Sequence, residues 1–255
     1  GRALAVHFAG LGAKLALNDY NAASLQETVG MLPQGTDVLA SAFDVSQKEA
    51  MFQFAEQVVA RFGRVDVMIN NAGVAISAFT ADAVSIADYE WIMGINLWGM
   101  MHGSFAFLPH LRKQAESALV NVSSIFGLHG IPGQAPYVTT KFAIRGFTES
   151  LALEEKAHGT GVTVSSVHPG GIKTNIARAA RGAETDPEAI DKFEQNFRTT
   201  PERAAQIIVS GIRRQKSRIL VGADAHLFHY LTHRLRWVIQ YFLLRGYRQV
   251  LGARA

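Results

Sequence analysis

Tyr137 and Lys141 stand four residues apart at the start of a stretch that reads as helical, so a phenol and an ammonium share one face about one turn from each other. A nearby ammonium favours phenolate over phenol. It lowers the tyrosine pKa from its reference of about 10 and makes the oxygen a usable general base or acid. The spacing alone is common, since a Tyr-x-x-x-Lys arises by chance in roughly one chain in two of this length. Ser124 lies 13 residues before Tyr137, at the end of the apolar run 118–123, where a parallel sheet presents residues to a ligand. A hydrolytic triad could be drawn from Ser124, His129, His168 and Asp44, but the chain has no Gly-x-Ser-x-Gly elbow, and His168 reads as a loop residue before Pro169. The other histidines offer no metal spacing with a carboxylate beyond His229 and His233 at i, i+4. That pair sits among arginines and reads as a solvated or interfacial helix, so no metal site is expected.

The elements that must position these residues alternate regularly. Apolar strand candidates at 14–19, 38–43, 65–70, 118–123, 162–167 and 218–221 are separated or flanked by helical stretches at 2–11, 22–31, 47–62, 85–110, 136–158 and 201–215. Strands without polar alternation, each followed by a helix, predict an α/β fold: a Rossmann-type doubly wound parallel sheet with helices on both faces and ligands at the carboxyl ends of the strands. Such a sheet ordinarily begins with a strand and a Gly-rich turn, whereas this sequence begins with a helix. Gly1 fits the last glycine of that turn, because Asp19 follows 18 residues later, near the offset of the acid that bonds an adenosine ribose. A truncated start, lacking the first strand and most of the turn, is therefore expected.

With 255 residues and 48% hydrophobic content the chain can bury one large core, and a single domain is expected, 1–226 with a helical tail at 227–255. The absence of cysteine excludes disulfides and thiolate metal sites. No apolar run is long enough to span a bilayer and no signal sequence appears, so a cytoplasmic location, extended at most to the periphery of a membrane, is expected. The net charge of +4 is uneven. Residues 201–255 carry 10 Lys and Arg against 2 Asp and Glu, while residues 1–200 carry 15 against 19. A basic tail on a mildly acidic body suggests an anionic surface near the C-terminus, not nucleic-acid binding.

Taken in order, Asp19, Asp44-Val45, Asn70-Asn71-Ala72-Gly73, Asn96, Ser124/Tyr137/Lys141 and His168-Pro169-Gly170-Gly171-Ile172-Lys173-Thr174 make the chain resemble the short-chain dehydrogenase/reductase family over almost its whole length. The resemblance implies an NAD(P)-dependent oxidoreductase acting on CH–OH groups. Tyr137 would exchange the alcohol proton while hydride moves to or from nicotinamide, and Ser124 would hydrogen-bond the substrate oxygen. Lys141 would lower the Tyr137 pKa and bond the nicotinamide ribose, with Asn96 completing a water-linked proton relay. For the cofactor, the resemblance implies Gly1 and Asp19 as above, Asp44 and Val45 beside the adenine, and Asn71, Ala72 and Gly73 along its ribose and the centre of the dinucleotide. Pro169, Gly170, Ile172 and Thr174 fall on the nicotinamide side, the last two at the carboxamide. Asp19 favours NAD over NADP, since a carboxylate accepts from a free 2′-hydroxyl and repels a 2′-phosphate, and Asn18, Tyr20 and Asn21 bring no cation.

The expected substrate is a small hydrophobic secondary alcohol or ketone, with Ile125, Phe126, Leu128, His129 and Ile131 as an apolar wall and residues 174–200 as a lid whose helix starts at Asp186-Pro187. The alternative is a non-catalytic NAD-binding or interaction protein on the same fold. From Leu227 the tail reads as one helix, with Leu227, Leu231, Leu235, Val238, Ile239 and Phe242 on one side and arginines elsewhere. Packing of that stripe within a homodimer or homotetramer is the preferred reading, and contact with an anionic membrane surface the second.

Overall fold

In the computed structural model, residues 1–76, 80–181, 195 and 197–252 are described, the last three of these without their side chains. The strands are Leu15–Asp19 (β1), Val38–Ala42 (β2), Val67–Asn70 (β3), Ser117–Val122 (β4), Val162–Pro169 (β5) and Arg218–Val221 (β6). The helices are Arg2–Gly10 (α1), Ala22–Gly30 (α2), Lys48–Phe62 (α3), Ile86–Met93 (α4), Gly99–Leu111 (α5), Ala135–His158 (α6), Pro201–Arg213 (α7), Ala223–Arg234 (α8) and Arg236–Gly252 (α9). Up to α7 most boundaries fall within two residues of those read from the sequence. The segment expected as one helix over 85–110 is instead α4 and α5 joined by a π-turn at Gly94–Trp98. Every strand pairing is parallel, β1 with β2 and β3-β4-β5-β6 in that order, so the expected parallel array is present in two ladders. No strand pairing joins the two ladders among the described residues. The lid's expected helix start at Asp186-Pro187 lies outside the described residues.

Local chemistry sets the element ends. Asn21, Ser85 and Thr200 cap α2, α4 and α7 by accepting from the backbone N–H three residues on, at 3.0, 3.1 and 3.2 Å. α3 ends on Gly63 at φ 73°, a left-handed conformation in which a side chain would be strained.

Alternation along β4 divides the core. Leu119 points toward Phe54, Phe107, Leu111 and Leu151 from α3, α5 and α6. Ala118 and Val120 point the other way, toward Leu4 of α1 and Ala205, Ile208 and Val209 of α7. Leu119 and Val120 are fully buried, so the central strand is covered on both faces and its functional groups can emerge only at its end.

The tail departs from the single helix expected from Leu227. Helix starts earlier, at Ala223, and breaks at Leu235, where φ −131° and ψ 48° leave the helical region before α9 begins at Arg236. That break separates residues which one continuous helix would keep on one side. Leu231, Val238 and Ile239 are half-buried, whereas Leu227, Leu235 and Phe242 face solvent.

Candidate active site

Beyond the carboxyl end of β4, Ser124 leads into a 3-10 turn at Ile125–Gly127 and its Oγ accepts from the Phe126 N–H at 3.1 Å. Tyr137 lies in the first turn of α6 and Lys141 one turn later, as the four-residue step requires. The Ser124 side chain acts on the phenol, favouring its ionised form, and the Tyr137 ring meets Phe126 edge-on at 6.1 Å. Lys141 Nζ sits 5.3 Å from the centre of the Tyr137 ring and donates to the Val122 carbonyl at 3.0 Å. The Ser124, Tyr137 and Lys141 side chains, from the turn after β4 and from α6, thus converge beside the Val122 carbonyl at the end of β4.

The electrostatics differ from the sequence expectation in one respect. Lys141 was expected to lower the Tyr137 pKa, but burial dominates and pushes the phenol up to about 12, with the Ser124 side chain pulling it partly back. The same desolvation lowers Lys141 to about 8. Each group is driven toward its neutral form, which weakens the charge–phenol attraction that sequence spacing alone suggests.

Asn96 is buried inside the π-turn, a widened helical turn of the kind found at functional sites. Its side chain bridges to another segment rather than to its own helix. Oδ1 accepts from the Val74 N–H at 2.8 Å, and Nδ2 donates to the Val74 carbonyl at 2.9 Å and to Thr140 Oγ1 at 3.2 Å. The strip after β3 is thereby pinned beside α6. A Cβ added to Gly73 would lie 3.4 Å from both Asn96 Oδ1 and Lys141 Nζ, so the bare backbone there is what brings these groups close.

The remaining expected residues occupy the same edge. Half-buried Asp19 ends β1 and accepts from the Asn21 N–H at 2.9 Å, and exposed Asp44, two residues past β2, accepts from the Ser46 N–H at 2.8 Å. Val45 packs tightly on α5, where a Cβ at Gly99 would come within 2.6 Å of it. Asn71 and Ala72 are exposed after β3, and Gly1 lies close enough to Asn71 that an added Cβ would sit 3.2 Å from its amide nitrogen. Pro169 is the last residue of β5, Gly170 donates to the Val221 carbonyl at 3.0 Å, Ile172 bridges to Thr199, and Thr174 is exposed.

Several supporting residues are not apparent from the sequence. His168 belongs to β5 and is fully buried, not in a loop. Burial lowers it to about 4, so it is neutral, and since a carbonyl can only accept, Nδ1 donates to the Ser124 carbonyl at 2.8 Å while Nε2 takes the Ser166 hydroxyl at 3.1 Å. The ring therefore fixes the Ser124 backbone and does not reach Oγ as a triad base would. Below the site, Asn70 Nδ2 donates to Asn121 Oδ1 at 2.8 Å and Asn121 Nδ2 to Thr148 Oγ1 at 3.0 Å, tying β3, β4 and α6 together through buried polar groups. No cluster of three His, Cys, Asp or Glu able to hold a metal occurs among the described residues.

Gly127 is where the turn touches α6. An added Cβ would lie 2.4 Å from Ser123 Oγ and 2.7 Å from the Lys141 carbonyl, the pair already joined by a 2.8 Å hydrogen bond. Gly127→Ala is expected to move the turn away from Lys141 and lower kcat/KM about 100-fold, the effect of a roughly 1 Å misplacement. Steady-state kinetics beside a folded far-UV spectrum would check it, and undiminished turnover would show that the turn yields freely.

Comparison with known proteins agrees with this geometry. Residues 1–185 match the family described as short chain dehydrogenase. The protein SadH of Mycobacterium tuberculosis is 40% identical over 229 residues, 88% of this chain and 83% of that one. The meso-2,3-butanediol dehydrogenase of Serratia marcescens is 34% identical over 206 residues, 81% of this chain and 77% of its own. A short chain dehydrogenase/reductase from Burkholderia phymatum, solved in complex with NAD, superimposes with a TM-score of 0.83 at 28% identity, covering 91% of this chain and 88% of that one. With its parallel α/β architecture and a sequence match across most of its length, the chain belongs to the short chain dehydrogenase family of oxidoreductases.

Proposed function

We propose that the protein interconverts a hydrophobic secondary alcohol and its ketone with NAD, Tyr137 serving as the general acid and base. The observation that carries this reading is the convergence of the Ser124 hydroxyl, the Tyr137 phenol and buried Lys141 at the carboxyl end of β4, beside the apolar turn 125–127. The Serratia relative, named for a butanediol, supports a secondary alcohol as the substrate class.

The donor set fits a dinucleotide. Asp19, Asp44, Asn71 and Thr174 form a polar row along the strand ends, interrupted by the bare backbone at Gly73. In this reading Gly1, Asp19, Asp44, Val45, Asn71, Ala72 and Gly73 hold the adenosine half, and Tyr137, Lys141, Pro169, Gly170, Ile172 and Thr174 the nicotinamide half. The nicotinamide, when bound, supplies the acceptor or donor of hydride at the carbinol carbon. Ser124 orients the substrate oxygen and steadies its developing charge. Tyr137 takes the hydroxyl proton during oxidation or gives it during reduction, and Asn96 holds the Val74 strip in place beside Lys141.

Asp19 and its surroundings support NAD over NADP. Nearby Arg2 is paired with Glu27 and Thr28 on the surface. KM for NADP is expected to exceed that for NAD at least about tenfold, the effect of a like-charge contact of 1.4 kcal/mol or more. The test is formation of reduced nicotinamide from NAD or NADP against a panel of lipophilic secondary alcohols. Equal or lower KM for NADP would overturn the cofactor assignment. Tight NAD binding without turnover of any alcohol or ketone would favour a binding protein on this fold.

A further inference from the structure

The tail after β6 presents a surface that the oxidoreductase chemistry does not use. Seven of the protein's exposed large hydrophobic residues fall between Leu227 and Leu244. On α9 the exposed Trp237, Tyr241, Leu244 and Arg248 recur at i, i+4, i+7 and i+11, which is one side of a helix, with Arg245 at its margin. Ile239, Leu243 and Tyr247, at i, i+4 and i+8, are half-buried on the other side. The outward side is therefore aromatic, aliphatic and cationic together.

Charge narrows what could cover this surface. No Asp or Glu occurs after Asp224, while Arg234, Arg236, Arg245 and Arg248 lie in the tail and none is in an ion pair among the described residues. A second copy docked symmetrically through the same side of α9 would bring Arg245 and Arg248 of both copies into one interface with no tail carboxylate to neutralise them. A sheet of lipid phosphates would complement the arginines and accept Trp237 and Tyr241 at headgroup depth. No helix among the described residues is long and apolar enough to cross a membrane, so such contact would be lateral. The tail also adjoins the active-site loop, since Phe228 of α8 meets buried His129 edge-on at 6.5 Å.

We propose that α8 and α9 form a docking surface for an anionic lipid bilayer, with Trp237, Tyr241 and Leu244 entering the interface and Arg245 and Arg248 on the phosphates. We prefer this to the subunit packing expected from the sequence because positive charge with no tail carboxylate beside it is concentrated on that side.

Flotation of the full chain with vesicles of phosphatidylcholine alone, and of an equimolar mixture with phosphatidylglycerol, tests the proposal. Binding is expected with the anionic vesicles, weakening as salt rises, and accompanied by a blue shift of tryptophan emission that Trp237→Phe removes. The Arg245→Gln/Arg248→Gln double variant, on an exposed face away from the catalytic groups, should keep its fold and partition about 30-fold more weakly, as two lost basic contacts imply. Equal flotation of wild type and double variant, or none with either vesicle, would overturn it. So would a dimer in light scattering that Tyr241→Glu converts to monomer while vesicles capture neither form.

Discussion

Replacing Tyr137 with Phe is expected to reduce turnover by about 10²–10⁴-fold, the range contributed by a positioned general acid or base, with little change in stability. The ring survives the substitution and keeps its edge-on contact with Phe126 at 6.1 Å, so lost activity would be chemical and not conformational. A second signature comes from pH. Burial holds Tyr137 near 12, so at neutral pH the phenol carries its proton, the form suited to ketone reduction. Alcohol oxidation requires the phenolate, whose fraction grows up to tenfold per pH unit below the apparent pKa. The oxidation rate should therefore climb with pH in the wild type and lose that dependence in the variant. A Tyr137→Phe enzyme oxidising alcohol with the wild-type rate and pH profile would remove Tyr137 from the mechanism.

Much of this site was legible before folding because it depends on sequence spacing within single elements. The four-residue step between Tyr137 and Lys141 has only one outcome on a helix, and the apolar runs ending before Asn71 and Ser124 deliver both to the same edge of a parallel sheet. What escaped the sequence depends on contacts between elements. His168 reaches the Ser124 carbonyl because β5 pairs with β4 in the register Val122 with Val167, which no local pattern encodes. The π-turn around Asn96 shifts helical register without a proline, and the break at Leu235 has neither proline nor glycine beside it. The sign of the Tyr137 shift was missed for a related reason. Spacing reports that an ammonium is near, but only the packed structure reports how much water both groups have lost.

That same loss of water leads to the second large effect, in which Lys141 is expected to support activity at the expense of stability. Lys141→Met should lower kcat/KM by at least about 10²-fold, since it removes both the group beside Tyr137 and the proposed ribose contact. Yet the folded variant should be more stable at pH 7. Burial lowers Lys141 from its ordinary 10.5 to about 8, so the folded state resists a protonation that the unfolded chain accepts. The resulting deficit is full below about pH 8, shrinks between 8 and 10.5, and vanishes above, where both states are neutral. The shift corresponds to about 3 kcal/mol, and leaving the Val122 carbonyl without its 3.0 Å donor costs about 1 kcal/mol in return. Methionine has nearly the same volume and adds no cavity, so a gain of about 2 kcal/mol at pH 7 remains. Urea unfolding at pH 7 and at pH 10.5 separates this from a general packing effect, because the gain should be present at the first pH and largely absent at the second. A variant destabilised equally at both would mean that Lys141 holds the site together by its bonds, and that the stability deficit of its buried charge is already compensated within the fold.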